Sequence, residues 1–316
     1  MADRYLRATG NWNGAVWAAT SGGAAGSVAT PTISDDVYIS ANFTVTLTAD
    51  ASCNSIYHTN GTLTCGAYNV YIDKYYSDGN SSSAKTVNMG SGTWTIDKNS
   101  MGSSLIVSNS STIINPQQSL LVFNTSGGNG VPLDANRHAN SSTWNDVIFN
   151  LNDSNETTRI TGSPTFRSLI IQSKNSAAHT VRFTQDFGNT DCGKFVCIGS
   201  SPSNKITLAD SDMSSHNFGI TESFYAQNID AQVYMPDSGN DLAGKRYAGT
   251  NSTNSNGQLT LQDPPKISTL VDPLTTAPGS NTNWTTTGTV TQVYTGYNGG
   301  GYTIAGGASL TSTDTY

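Results

Sequence analysis

The sequence predicts an all-β fold, and within that class a right-handed parallel β-helix, a solenoid of stacked coils. Three observations lead there. Short runs rich in Val, Ile, Thr, Phe and Tyr alternate with breaks rich in Asn, Ser, Gly and Pro, the pattern of strands bounded by turns. No stretch carries the apolar spacing of an amphipathic helix. Most breaks are also longer than the two-residue Asn-Gly or Asp-Gly links of hairpins and lack that chemistry, although Asn60-Gly61 and Asn256-Gly257 occur. A sandwich needs many matched hairpins, whereas stacked coils need none.

The pattern is plainest in the centre of the chain. Strand-like runs span 166–171, 180–183, 194–198 and 205–208, parted by polar breaks around Asn175, Asn189 and Ser203. Val181 and Phe183 share a face, as do Phe195 and Cys197, and Ile206 and Leu208. Each strand therefore offers two or three apolar residues to a narrow interior.

In chain order, residues 1–36 read as an N-terminal cap. Trp12 and Trp17 flank a turn on Asn13-Gly14, and large apolar rings there would cover the first coil, whose edge is otherwise unpaired. Residues 37–262 read as the β-helix, opened by VYIS and by FTVTLTA, in which Phe43, Val45 and Leu47 lie on one face. An excursion near 126–142, SGGNGVPLDANRHANSS, lacks strand character, and long excursions of that kind tend to carry function. Residues 263–269, opened by Asp263-Pro264-Pro265, form a Pro-rich linker, and 270–316 a separate β-sandwich-like segment.

Composition removes several function classes. Only 12% of residues are charged, and the net charge of −7 offers no basic stripe for a nucleic-acid partner. No apolar run approaches the roughly 20 residues that span a bilayer, so membrane insertion is not expected. MADRYLRATGNW lacks the apolar core of a secretory signal, which predicts synthesis and assembly in the cytoplasm. Cys53, Cys65, Cys192 and Cys197 have no metal-ligand spacing and read as small buried residues.

No catalytic constellation stands out. Close carboxylate pairs, Asp35 with Asp36 and Asp210 with Asp212, sit beside turn residues, where Asp caps local backbone. Asp210 and Asp212 are the weak candidates for acid chemistry of the kind that cleaves glycosidic bonds. Arg137 and His138 in the excursion are candidate partner contacts. So are the tyrosines of AYNVYIDKYY, with Tyr71 expected inside and Tyr75 and Tyr76 outside, at a glycan or subunit contact. No cofactor is expected, Ca2+ on Asp/Asn-rich turns being the one candidate ion.

Two stretches add a resemblance. TGNWNGAVWAATSGG followed by PTISDDVYI is similar to the start of many bacteriophage and prophage virion proteins, and YAGTNSTNSNGQLTL resembles the motif that closes their β-helices. Trp284, Val290, Tyr302, Ile304 and Leu310 in the last segment resemble the first strands of a concanavalin-like jelly roll, and too few residues are present there to close one. The expectation is then of a polypeptide that continues past Tyr316, or of a segment that pairs with its own copies. The resemblance implies a homotrimeric tail fibre, tailspike or capsid-decorating protein on the virion, contacting other virion proteins and host-surface carbohydrate. A tailspike-like polysaccharide depolymerase is the alternative, and a bacterial surface adhesin the second.

Overall fold

Alternation of apolar and polar residues gives each long strand one dry and one wet side. In the computed structural model the protein is all-β, with no helix among the described residues. The structure describes residues 2–77, 83–98, 105–107, 111–125, 133–134, 143–152, 157–161, 164–184, 190–210, 218–231, 246–248, 253–254, 289–291, 302–305 and 309–310. It divides into two compact units, Met1–Leu261 and Gln262–Tyr316.

In the first unit, parallel pairing links strands far apart in sequence. One ladder joins Asp3–Leu6, Asp36–Ile39 and the later halves of Ala51–His58 and Val70–Tyr76. It continues through Leu105–Ile106, Leu133–Asp134, Thr157–Thr161, His179–Thr184, Ile206–Asp210 and Ile229–Ala231 to Thr253–Asn254. A second starts on the earlier halves of Ala51–His58 and Val70–Tyr76. It runs through Thr93–Lys98, Leu120–Thr125, Thr143–Leu151, Thr165–Ser173, Thr190–Ile198 and Phe218–Gln227 to Arg246–Ala248. A third joins Gly10–Asn11, Thr44–Thr46, Gly61–Thr64, Lys85–Asn88 and Thr112–Asn115. Asn60-Gly61 makes no hairpin, because the strands on either side of it belong to different ladders.

The dry sides stack residue on residue. Cys53, Ile72, Ile96, Phe123, Phe149, Ile171, Cys197 and Ala226 are successive register partners along the second ladder, and all are buried. Phe123 and Phe149 stack with centroids 4.7 Å apart and planes 7° from parallel. Each large side chain in such a column contributes about 1.5–3 kcal/mol by leaving water. Val181, Phe183, Phe195, Cys197, Ile206 and Leu208 are all buried, on the faces that their alternation assigned them.

Several strands bend where the apolar step lengthens from two residues to three. Cys53 to Ile56, Ile72 to Tyr75, Trp144 to Val147, Phe166 to Leu169 and Cys192 to Phe195 are such steps, with both ends buried. The register skips the residue at the bend, as between Asn54 and Asp73, or Asn145 and Arg167. This step corrects two sequence expectations. Val70 and Ile72 point inward, so Tyr71 between them faces out and is 43% exposed. Tyr75, one long step further, is 1% exposed and is no surface contact.

Polar rows run along the wet sides. Gln172 Nε2 donates to Asn150 Oδ1 (2.7 Å), and Asn150 Nδ2 donates to Asn124 Oδ1 (2.8 Å). Asn115 Nδ2 donates likewise to Asn88 Oδ1 at 2.8 Å. Such amide ladders add side-chain hydrogen bonds between rungs. Gly90 has φ +79°, and a Cβ there would lie 1.7 Å from the Gly66 carbonyl oxygen, so this turn admits only glycine.

At the N-terminal side, Trp17–Ala18 pairs antiparallel with Asp3–Leu6. Trp12 and Trp17 are buried edge to face at 5.0 Å, and Trp17 Nε1 donates to the Trp12 carbonyl. In the second unit, Thr289–Thr291, Tyr302–Ala305 and Ser309–Leu310 form an antiparallel sheet pairing Val290 with Ile304 and Tyr302 with Leu310.

Phe149→Ala is expected to lower the unfolding free energy by about 3–5 kcal/mol, read from the urea midpoint. Tyr71→Ser, on a wet side, should change it by no more than about 0.5 kcal/mol.

Candidate functional site

The first ladder carries a row of tyrosines on its wet side. Tyr5, Tyr38, Tyr57 and Tyr76 are successive register partners and all are half-buried. Each is placed outward by its neighbours: Val37 and Ile39 are buried around Tyr38, and Ile56 and His58 around Tyr57. Tyr5 and Tyr38 stack at 4.6 Å and 13°, Tyr38 and Tyr57 at 4.9 Å and 11°. Tyr76 departs from the stack, tilted 59° from Tyr57 at 5.9 Å, with the Lys74 ammonium 5.0 Å from its ring centre.

Carboxylates flank this row. Tyr5 Oη donates to Asp3 Oδ2 at 3.2 Å, and Asn54 Nδ2 donates to Asp36 Oδ1 at 2.7 Å. Partial burial, then the charges of Asp3 and Asp36, push the Tyr38 phenol up to about 12. Tyr5 is raised too, by burial and then by its bond to Asp3. Both phenols therefore stay neutral near pH 7, able to donate and accept but not to act as bases. Stacking covers the ring faces of the middle members, so water meets a ridge of ring edges and hydroxyls. Such a ridge suits a polyhydroxylated ligand or a protein partner.

The other sequence candidates fall elsewhere. Tyr76 stands in the row, whereas Tyr75 is buried in the core. Asp210 ends the strand Ile206–Asp210 in register with Phe183. Its side chain, and Asp212, Arg137 and His138 altogether, lie outside the described residues. Asp35 is structural: burial alone would raise its carboxyl, but the Thr32 amide and hydroxyl and then Arg4 outweigh burial and hold it below the ordinary range.

Sequence reasoning missed Tyr5, Tyr38 and Tyr57. The signal was present, since tyrosine recurs every 19 residues at 38, 57 and 76. The four cysteines are free and buried, and burial pushes the Cys65 and Cys197 thiols up, away from thiolate chemistry. Among the described residues no group of three or more His, Cys, Asp and Glu could hold a metal ion.

Beneath the row lies a buried polar chain. His58 Nε2 faces the Gly61 carbonyl at 3.1 Å, so this nitrogen donates, and Nδ1 accepts from Tyr75 Oη at 2.9 Å. Ser77 donates in turn to the Tyr75 oxygen and lies 2.7 Å from Thr112 Oγ1. Burial, with a smaller part from Lys85, lowers His58 from 6.5 to about 4. This cluster satisfies its own groups inside the core and offers none of them to a ligand.

Comparison with protein-family models, with curated proteins and with solved structures returns no match for this chain.

His58 also sets an acid limit. Its folded-state value lies below its unfolded one, so the unfolded chain binds the extra proton between about pH 6.5 and 4. Stability is fully present above that window and falls as pH drops through it, by on the order of 3 kcal/mol. Urea midpoints from pH 7 to 4.5 should show this slope in the native chain, and a distinctly smaller one in His58→Gln.

Proposed function

We propose that this chain is a structural virion protein of a bacteriophage or prophage. In this reading it is a homotrimeric tail-fibre, tailspike or capsid-decorating component, built on a right-handed parallel β-helix, that helps contact host-surface carbohydrate. One observation carries the reading: the order in which the chain visits its ladders. From Ala51–Cys53 in the second ladder it passes to Ser55–His58 in the first, then to Gly61–Thr64 in the third, and returns to the second at Val70. Parallel neighbours need a crossover, and here strands of the other ladders supply it. Parallel sheets elsewhere are almost always covered by helices. None occurs among the described residues, and a coil that closes its core with its own strands meets the same need. Crossovers between parallel strands are right-handed in about 98% of cases, which favours the right hand for this reading.

A stiff column with a dry interior suits a particle component that must persist outside the cell. The hydroxyl ridge of Tyr5, Tyr38, Tyr57 and Tyr76 would provide a contact face for carbohydrate. The resemblance of the chain's opening to virion proteins agrees with both.

Sedimentation of the purified protein should give three times the 33.2 kDa chain mass, and a monomer would contradict the trimer. On a glycan array, Tyr38→Ser combined with Tyr57→Ser should weaken saccharide capture about tenfold, the equivalent of one 1.4 kcal/mol step. Release of reducing ends from a captured polysaccharide, abolished in Asp210→Asn with Asp212→Asn, would replace this reading with a depolymerase.

A further inference from the structure

Two arginines stand side by side on the wet side of the first ladder. Arg159 and Arg182 are direct register partners on the neighbouring strands Thr157–Thr161 and His179–Thr184. Thr158 and Ile160 are buried around Arg159, and Val181 and Phe183 around Arg182, so both side chains point away from the core. Neighbouring strands lie about 4.8 Å apart, and like charges directly opposite each other destabilise a sheet. This pair therefore does no service to the free protein that its sheet position explains.

Its surroundings set it apart from the other arginines whose side chains are described. Arg4 is paired with Asp35, Arg167 with Asp146, and Arg7 donates to the Gly23 carbonyl at 3.2 Å. Among the described residues neither Arg159 nor Arg182 has a carboxylate partner. Among the described residues Arg182 Nε, like Arg4 Nε, is shut off from water with no acceptor, so only the outer nitrogens of the Arg182 fork can serve a ligand. The next position along the row is Ala209, 8% exposed, which places no acceptor beside the pair. On one flank, Thr157, Thr180 and Thr207 form a half-buried register row of short hydroxyl side chains.

We infer that Arg159 and Arg182 form a binding site for an oxyanion carried by an acidic surface glycan. The guanidinium is a planar fork of donors that meets carboxylate or phosphate oxygens two at a time, and two forks one rung apart can hold one such group between them. An anion there removes the repulsion between the arginines. The threonine row lies where the hydroxyls of the same sugar chain would run. With a net charge of −7 the protein repels polyanions at a distance, so capture rests on this local pair. The inference deepens the proposed carbohydrate contact and rests on it. The oxyanion comes from one of two sources, the carboxylate of a sugar acid or the phosphate of a phosphorylated glycan.

Isothermal titration calorimetry at low salt tests it with three probes: oligogalacturonate, its neutral methyl ester and glucose 1-phosphate. Binding of an acidic probe is expected, with affinity at least tenfold lower in Arg159→Gln and in Arg182→Gln and absent for the ester. Preference for oligogalacturonate or for the sugar phosphate identifies the source. Equal binding of the ester, affinities unchanged in both variants, or no binding of either acidic probe would overturn the inference. Both variants should melt at or above the native temperature, since each removes a repulsion. A drop of several degrees in both would assign the arginines to structure and also overturn it. No binding of either acidic probe by a chain that still captures neutral glycans would sink this site alone, whereas a chain that binds no saccharide of any kind would sink the broader reading with it.

Discussion

Each strand of the long ladders directs its backbone hydrogen bonds to the strands above and below it in fixed parallel register, and the rest of the structure follows from that. Register places equivalent residues of successive rungs at the same point of the cross-section. Cys53, Ile72, Ile96, Phe123, Phe149 and Ile171 fall into one inward column because of it. A one-residue slip would turn the inward residues of a strand toward water. Core packing and backbone pairing thus enforce one another.

The same repetition organises the outside. A residue type that recurs at one register position becomes a row, whether of amides at Asn124, Asn150 and Gln172, of tyrosines, or of arginines. The rows differ in what they leave unsatisfied. The amides donate to each other, and the tyrosine rings cover each other's faces, so both rows tie neighbouring strands together while the tyrosines show edges and hydroxyls to solvent. The arginines can do neither. Under the proposed carbohydrate contact, side chains whose backbone is already held in register would keep the entropy cost of capture small.

Much of this was legible in the residues. Alternation identified the strands of the central stretch and assigned Val181, Phe183, Phe195 and Cys197 to the dry side. The three-residue apolar step was not legible as a bend, because the same spacing also occurs in helices and loops. Tyr71 and Tyr75 were therefore expected on the wrong sides. The tyrosine row could have been found from its constant 19-residue interval between Tyr38 and Tyr76. The arginine row could not. Partner spacing varies from rung to rung, with Ala51 opposite Val70 but Trp94 opposite Leu121, so no fixed period leads from Arg159 to Arg182.

The account stands on strands of three ladders following one another around a common interior. A cryo-electron microscopy map of the purified protein that traces the chain tests this most directly. The predicted result is a column of right-handed coils, all strands parallel to those above and below at about 4.8 Å, with Phe123 directly over Phe149 inside. Neighbouring strands running in opposite directions through two face-packed sheets would contradict it.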